Sequence, residues 1–175
     1  RLVYFIFIME VTSIQSFVNY YKKVRETTNT VIRVIPQECL EFSYKEGKFT
    51  IADLLRHIAA IERHLFAEII QGNKPTYTGC GKELAEDYDD IMNYLNTTHR
   101  ETLEIINRLE DGDLQKKIKP VSGTEIKLSS FLRALTVHEI HHRATLCIYL
   151  NMLGITTPPI LGLTAEQVIA ISNKP

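Results

Sequence analysis

The sequence is poor in glycine and proline, with eight and six residues among 175. The low content of both excludes collagen-like and low-complexity sequences, and few glycines weigh against an all-β fold with many tight turns. No apolar run reaches the ~18 residues that a membrane span requires. The formal net charge is only −1, which argues against a protein built to hold nucleic acid. The length predicts one domain with a substantial core.

Cysteine is also scarce. Cys39, Cys80 and Cys147 are far apart and odd in number, and the absence of a CxxC pair excludes a zinc ribbon or a thioredoxin motif. We interpret them as incidental thiols in a reducing compartment, which predicts a cytoplasmic location. The apolar residues 1–8 precede Met9 but lack the positive charge and cleavage site of a secretory signal. We expect them to be a non-native N-terminal extension or a short extra strand.

Helical periodicity dominates the rest of the chain. Apolar residues recur at i, i+3, i+4 and i+7 in four long segments, the pattern of helices with one buried face. Thr50 with Asp53 predicts a capping box at the second helix, and Ser129 or Ser130 is the expected cap of the fourth. Alternation between Lys116 and Lys127 predicts a short hairpin. The predicted helices cover residues 14–35, 50–71, 82–109 and 129–153.

Four such helices predict an all-α four-helix bundle, since that arrangement buries all four stripes. The connections after the first and third helices are too long for tight up-down hairpins, so we expect a crossover. Residues 163–175 form a C-terminal tail in which Thr164 caps a short helix. Neither an internal repeat nor a domain linker interrupts residues 9–162.

Three of the six histidines lie in the segment His-Glu-Ile-His-His, residues 138–142. His138 and His142 are four residues apart on one helix face, within the apolar stripe, where unpaired polar groups are costly. They either hydrogen-bond to neighbouring helices or bind a cation. The segment also matches HExxH, in which Glu139 would activate water for a zinc protease. The rest of the sequence gives little support to a zinc protease, because no further histidine follows downstream and the chain offers no convincing sheet edge.

A third metal ligand must come from another helix. His57 and His64 lie on the flank of the second helix, and His99 lies on the flank of the third. Periodicity alone does not choose among them, and each could equally be a solvated side chain.

Two segments together resemble the DinB family, also described as DinB/YfiT-like metalloenzymes. They are residues 50–64, TIADLLRHIAAIERH, and residues 138–143, HEIHHR, which are followed by Tyr149, Leu150 and a double proline. The resemblance spans residues 10–162. It implies a four-helix bundle with a long crossover and a metal triad of His57, His138 and His142. By the same resemblance, His64 and His141 would be hydrogen-bonding neighbours or solvated side chains.

Three neutral imidazoles leave coordination positions open, as in catalytic rather than structural metal sites. Zinc or nickel is the expected metal, and iron or manganese also accept imidazole. The resemblance implies either hydrolysis or transfer of a metal-activated thiol, with a small-molecule substrate, a low-molecular-weight thiol in the second case, and a homodimer. Glu139 would act as a general base or would orient an imidazole. The competing hypothesis is a non-catalytic bundle that acts by dimerisation or by binding a partner.

Overall fold

Four long helices form a bundle, as the periodicity predicts. The computed structural model describes residues 10–173, so the predictions for residues 1–8 and Met9 lie outside it. The elements are α1 (Ile14–Ile32), α2 (α-helical at Ile51–Ile61, π-helical at Glu62–Ala67, α-helical at Glu68–Ile70), α3 (Tyr88–Ile106), β1 (Lys117–Ile118), β2 (Ile126–Lys127), α4 (Leu128–Met152) and α5 (Ala165–Ser172). The all-α fold and the short hairpin are confirmed.

Local hydrogen bonds fix most helix starts. At α2 the backbone N–H of Asp53 donates to Thr50 Oγ1 and the N–H of Thr50 donates to Asp53 Oδ2, both at 3.0 Å. This is the predicted capping box, which satisfies backbone donors that the helix leaves free. Thr164 caps α5 in the same way with Gln167. Gly72 has φ +80°, the left-handed conformation expected directly after a helix.

Two predicted helix starts are wrong. α3 begins at Tyr88 rather than near Lys82, because Asp87 accepts a hydrogen bond from the N–H of Asp90 (2.9 Å) and caps the helix there. α4 begins at Leu128 without a side-chain cap, since β2 runs directly into it, and Ser129 is buried instead of capping.

The π-helical turn of α2 changes which residues reach the core. Ile61 and Phe66 are both buried although they are five residues apart, and Leu65 is only half-buried. In a regular α-helix, residues i and i+5 point in different directions, whereas one extra residue per turn brings them to the same side. An uninterrupted α-helix over residues 50–71, as the periodicity predicts, would instead place Leu65 in the buried stripe, four residues after Ile61.

The bundle has a crossed topology. α1 packs against α4, α4 packs against α2, and α2 packs against α3, with a lighter contact between α1 and α3. Therefore α1 lies diagonally opposite α2, and α3 lies diagonally opposite α4, although the two helices of each pair are consecutive in the sequence. Residues 33–50 and 107–127 make the two diagonal connections, which explains their length and confirms the predicted crossover.

The core consists of two apolar clusters at different heights. The four helices contribute to both clusters, one around Ile32, Leu55, Leu95 and Leu146 and the other around Val18, Phe66, Ile106 and Leu132. Between them lies a polar layer that contains both histidines of the HxxxH pair and the buried charged residues Arg25, Glu62 and Glu139. Among residues 10–173, no helix is both long and apolar enough to cross a membrane.

Candidate metal centre

Three imidazoles converge at the polar layer between α2 and α4. His57 comes from the α-helical part of α2, and His138 and His142 lie one turn apart on α4. One ring nitrogen from each residue lies within 4.8 Å of the other two. The ring centroids are 5.0 Å apart for His57 and His138, 4.7 Å for His57 and His142, and 4.5 Å for His138 and His142. The three residues proposed from the sequence are therefore neighbours.

The spacing of the nitrogens suits a shared divalent ion. His57 Nε2 and His138 Nε2 are 3.1 Å apart, and two imidazole nitrogens on a tetrahedral zinc at its usual bond length are about 3.3 Å apart. The Nδ1 atom of His142 is buried and has no hydrogen-bond partner among the described residues. A buried polar atom without a partner lowers the stability of the folded protein. A metal ion would remove this loss of stability for each imidazole nitrogen that coordinates it.

Tyr77 holds the outer nitrogen of His57. Its hydroxyl lies 2.9 Å from His57 Nδ1. In the tautomer that carries its proton on Nδ1, the hydroxyl accepts this hydrogen bond and the lone pair of Nε2 is directed towards His138. Histidine ligands of metals are commonly fixed through the second nitrogen in this manner. Tyr77 lies in the connection between α2 and α3.

The environment keeps the three imidazoles uncharged. Burial lowers the pKa of His57 below its ordinary value. Burial, with the charges of His142 and His57, lowers the pKa of His138 to about 3. Burial, with the charges of His57 and His141, lowers the pKa of His142 to about 4. Nitrogen lone pairs are therefore available for coordination at neutral pH.

The other three histidines lie outside the triad. His64 lies within the π-helical turn of α2, and its Nε2 is 3.1 Å from the Tyr94 hydroxyl. His99 Nδ1–H donates to Glu62 Oε1 at 2.8 Å, so this histidine is not solvated. His141 is exposed and contacts the ring of His142 at a centroid distance of 4.9 Å.

A buried ion-pair network, formed by Arg25, Glu62, His99 and Glu139, fills the layer behind the triad. Each of the four helices of the bundle contributes one of these residues. Arg25 Nη2–H donates to Glu62 Oε2 at 2.6 Å, and Nε–H and Nη2–H donate to the two oxygens of Glu139, both at 3.0 Å. The two glutamates are each 1% exposed. The network ties α1, α2 and α4 together one residue away from His138.

The surroundings of Glu139 keep its carboxylate ionised within this network. Burial alone would raise the pKa of Glu139, but the charge and hydrogen bonds of Arg25 outweigh it and hold the pKa below its ordinary value. Burial alone would lower the pKa of Arg25, and the two carboxylates raise it instead. Both residues are therefore ionised and paired.

The zinc-protease interpretation of HExxH does not fit this arrangement. The base of such an enzyme must reach a water beside the metal, whereas both carboxylate oxygens of Glu139 accept from Arg25 in the buried interior. The two strands of the described chain are only two residues long, which is too short to align an extended peptide. Glu139 also makes no hydrogen bond to an imidazole in the part of the chain that the structure describes, so it does not orient a triad residue directly.

Neither the ion-pair network nor the contact of Tyr77 with His57 was predicted from the sequence. Arg25 and Glu62 occupy positions within the apolar stripes of their helices, each four residues after a buried Tyr21 or Ile58. That placement of a charge is the signal that could have revealed buried partners. Tyr77 lies in an irregular connection, where the sequence carries no comparable signal.

Comparison with known proteins places this geometry in a family. The sequence profile of the DinB family matches residues 9–170. The Bacillus subtilis protein YjoA, described as uncharacterized, is 27% identical over 146 residues, which cover 81% of this chain and 92% of YjoA. Its crystal structure superposes with a TM-score of 0.65 at 24% identity, over 83% of this chain and 96% of that one.

Two further structures share the fold. A DinB-like protein from Bacillus cereus superposes with a TM-score of 0.68 at 19% identity, over 85% of this chain and 97% of that one. YfiT from Bacillus subtilis superposes with a TM-score of 0.61 at 16% identity, over 82% of this chain and 89% of that one, and is described as a probable metal-dependent hydrolase with an unusual four-helix bundle topology. With its crossed four-helix bundle and a profile match over most of its length, the chain belongs to the DinB family.

Proposed function

We propose that this protein is a metal-dependent hydrolase whose divalent metal is held by His57, His138 and His142. The observation that carries the proposal is the convergence of three imidazole nitrogens from two helices within 4.8 Å. The description of YfiT, a structural relative, as a probable metal-dependent hydrolase supports it. Zinc or nickel is the metal we propose, with iron and manganese as the alternatives that imidazole also accepts.

The chain's own residues prepare the site. The buried environment keeps the three imidazoles neutral, and Tyr77 fixes the ring of His57 through its outer nitrogen. The pair of Arg25 with Glu139 anchors the turn of α4 that carries His138. A bound divalent ion would supply Lewis acidity, which polarises a carbonyl and lowers the pKa of water or of a thiol.

Metal stoichiometry tests the proposal. Protein purified without a histidine tag is loaded separately with zinc, nickel, iron(II) or manganese, exchanged into metal-free buffer and analysed by mass spectrometry of the metal. We expect one ion per chain for wild type, and loss of that ion in His57→Ala and His142→Ala. His141→Ala is the matched control because it removes an exposed neighbouring imidazole. Absence of tightly bound metal after all four loadings would refute the proposal and favour a non-catalytic bundle.

Turnover separates hydrolysis from thiol transfer. The zinc-loaded and nickel-loaded proteins are assayed with activated esters and amides and with an alkyl halide, each with and without a low-molecular-weight thiol. Ester or amide cleavage that is independent of thiol and is lost in His142→Ala supports the hydrolase. Turnover that requires the thiol would overturn it in favour of an S-transferase.

We also propose that the chain associates as a homodimer through α4. The exposed face of that helix carries an apolar stripe in which Val137, Ile148 and Met152 are 56%, 58% and 57% exposed, together with exposed Ala134 and Ala144. Exposed His141 lies between Val137 and Ala144, and with it the stripe has the three-and-four spacing of helices that pack along one another. The stripe contains no lysine, arginine, aspartate or glutamate, so two copies that meet there place no acidic or basic side chains of one sign against each other.

Light scattering of the purified protein tests the dimer. We expect a dimer for wild type and a monomer for the double variant Val137→Glu and Ile148→Glu. Asn96→Glu, on an exposed position of α3, is the control that should stay dimeric. A wild-type monomer, or a double variant that remains dimeric, would contradict the proposed interface.

A further inference from the structure

A cavity of about 390 Å³ opens beside the triad. It lies between the diagonal connection of residues 33–50 and the middle of α4, and His142 forms part of its wall. Its volume falls within the range of small-molecule sites in proteins. A molecule that occupies this cavity therefore lies next to the proposed metal.

Aromatic rings form the walls of the cavity. Tyr44, Phe49 and Tyr149 line it, and the first two are 52% and 40% exposed. The ring centroids of Tyr44 and Tyr149 are 6.1 Å apart, and Phe49 lies 5.2 Å from the ring of His57. The Tyr149 hydroxyl donates to the carbonyl oxygen of Phe49 at 3.1 Å, which holds the connection against α4. Such rings provide flat apolar surfaces on which a planar group can stack.

The cavity lining carries positive and no negative formal charge. It includes Lys48, and it includes neither an aspartate nor a glutamate. None of the ion pairs found within residues 10–173 involves Lys48. A lysine in the lining of an aromatic cavity, outside every ion pair of the described residues, can present its ammonium group to an anionic group on a bound molecule.

We propose that this cavity binds the non-reacting part of a small aromatic carboxylate, with its flat body among Tyr44, Phe49 and Tyr149 and its carboxylate at Lys48. The inference deepens the proposed function, on which it rests, by naming the substrate class of the same site. The reacting group of that substrate would then face His142 across the cavity.

Binding of two matched probes to metal-free protein tests the inference without any contribution from a metal. The probes are 2-naphthoate and its neutral counterpart 2-naphthamide, whose fluorescence anisotropy is measured at neutral pH. The chain contains no tryptophan, and exciting the probes at wavelengths beyond the tyrosine absorption band avoids emission from its eight tyrosines. We expect saturable binding of both probes, with 2-naphthoate about fivefold tighter, the effect of one partly exposed ion pair.

Three variants assign the contacts. Lys48→Gln should remove the preference for 2-naphthoate and leave the affinity for 2-naphthamide unchanged. Phe49→Ala should weaken both probes, and Lys45→Gln, on an exposed lysine of the same connection outside the lining, should change neither. Absence of saturable binding, or a preference for 2-naphthoate that persists in Lys48→Gln, would overturn the inference.

Metal stoichiometry measured on the same wild-type preparation keeps the two proposals distinguishable. One zinc per chain without probe binding would overturn the substrate class and leave the metal site standing. Probe binding that responds to Lys48 and Phe49, without any metal binding, would support the cavity and overturn the proposed hydrolase.

Discussion

Replacing Arg25 with methionine would leave two carboxylates buried side by side without their cation. Arg25 is 3% exposed, Glu62 and Glu139 are each 1% exposed, and the arginine donates to both at 2.6–3.0 Å. Removing one partner of a buried ion pair typically costs about 3–5 kcal/mol, because the remaining charge keeps its desolvation cost. A domain of this size is typically stable by only about 5–15 kcal/mol, so the variant should lose a large fraction of its stability.

Urea denaturation followed by circular dichroism measures this loss. A chelator is present throughout, because a ligand that binds only the folded state would hide part of the effect. The triple variant Arg25→Met, Glu62→Gln and Glu139→Gln removes the stranded charges and should recover much of the stability. A loss below about 1 kcal/mol for Arg25→Met, or a triple variant no more stable than the single one, would show that the two buried carboxylates do not depend on this cation.

Arg63→Met is the matched control for this experiment. Arg63 also pairs with two carboxylates, Glu68 and Glu101, but its side chain is 22% exposed. Partly exposed pairs contribute roughly 0–1 kcal/mol, so this variant should lose far less stability than Arg25→Met. Equal losses for the two arginines would show that burial is not the cause.

Three further predictions follow from the site and the helix caps. Tyr77→Phe should weaken zinc binding about tenfold or more in a competition titration with a chromophoric chelator, because the ring of His57 loses its anchor; unchanged affinity would contradict that role. Burial lowers the pKa of His138 to about 3 and of His142 to about 4. The unfolded chain therefore binds more protons below pH ~6.5, and metal-free protein should lose stability in urea as the pH falls from 7 to about 4. A flat or opposite trend would refute this. Thr50→Ala should cost about 1 kcal/mol in the same assay, and no loss would argue against the capping box.

Much of the fold follows from sequence periodicity. The apolar stripes around Ile14, Ile51, Ile91 and Phe131 predict the four helices, since each stripe must be buried against another. The lengths of residues 33–50 and 107–127 predict the diagonal connections. Helix starts were less predictable. Asp87 and Ser129 are both residue types that cap helices, but Asp87 caps α3 whereas Ser129 lies buried within α4, and the surrounding chain decides the difference.

The site was predictable only in part. The i, i+4 spacing places His138 and His142 on one face of a helix from sequence alone. His57 required the family resemblance, because periodicity places it on the flank of α2. The partners of Arg25 depend on the π-helical turn and on diagonal packing, which determine what Glu62 faces. The cavity beside His142 depends on how the connection that carries Phe49 folds over α4, and a local pattern holds no information on that.

Anomalous diffraction from crystals of untagged, zinc-loaded protein would show whether imidazoles from α2 and α4 share one metal ion, as proposed. We predict a single strong anomalous peak per chain, about 2.0–2.1 Å from one nitrogen each of His57, His138 and His142. A peak bound elsewhere, or a His57 ring turned towards solvent while the other two histidines bind, would contradict the account.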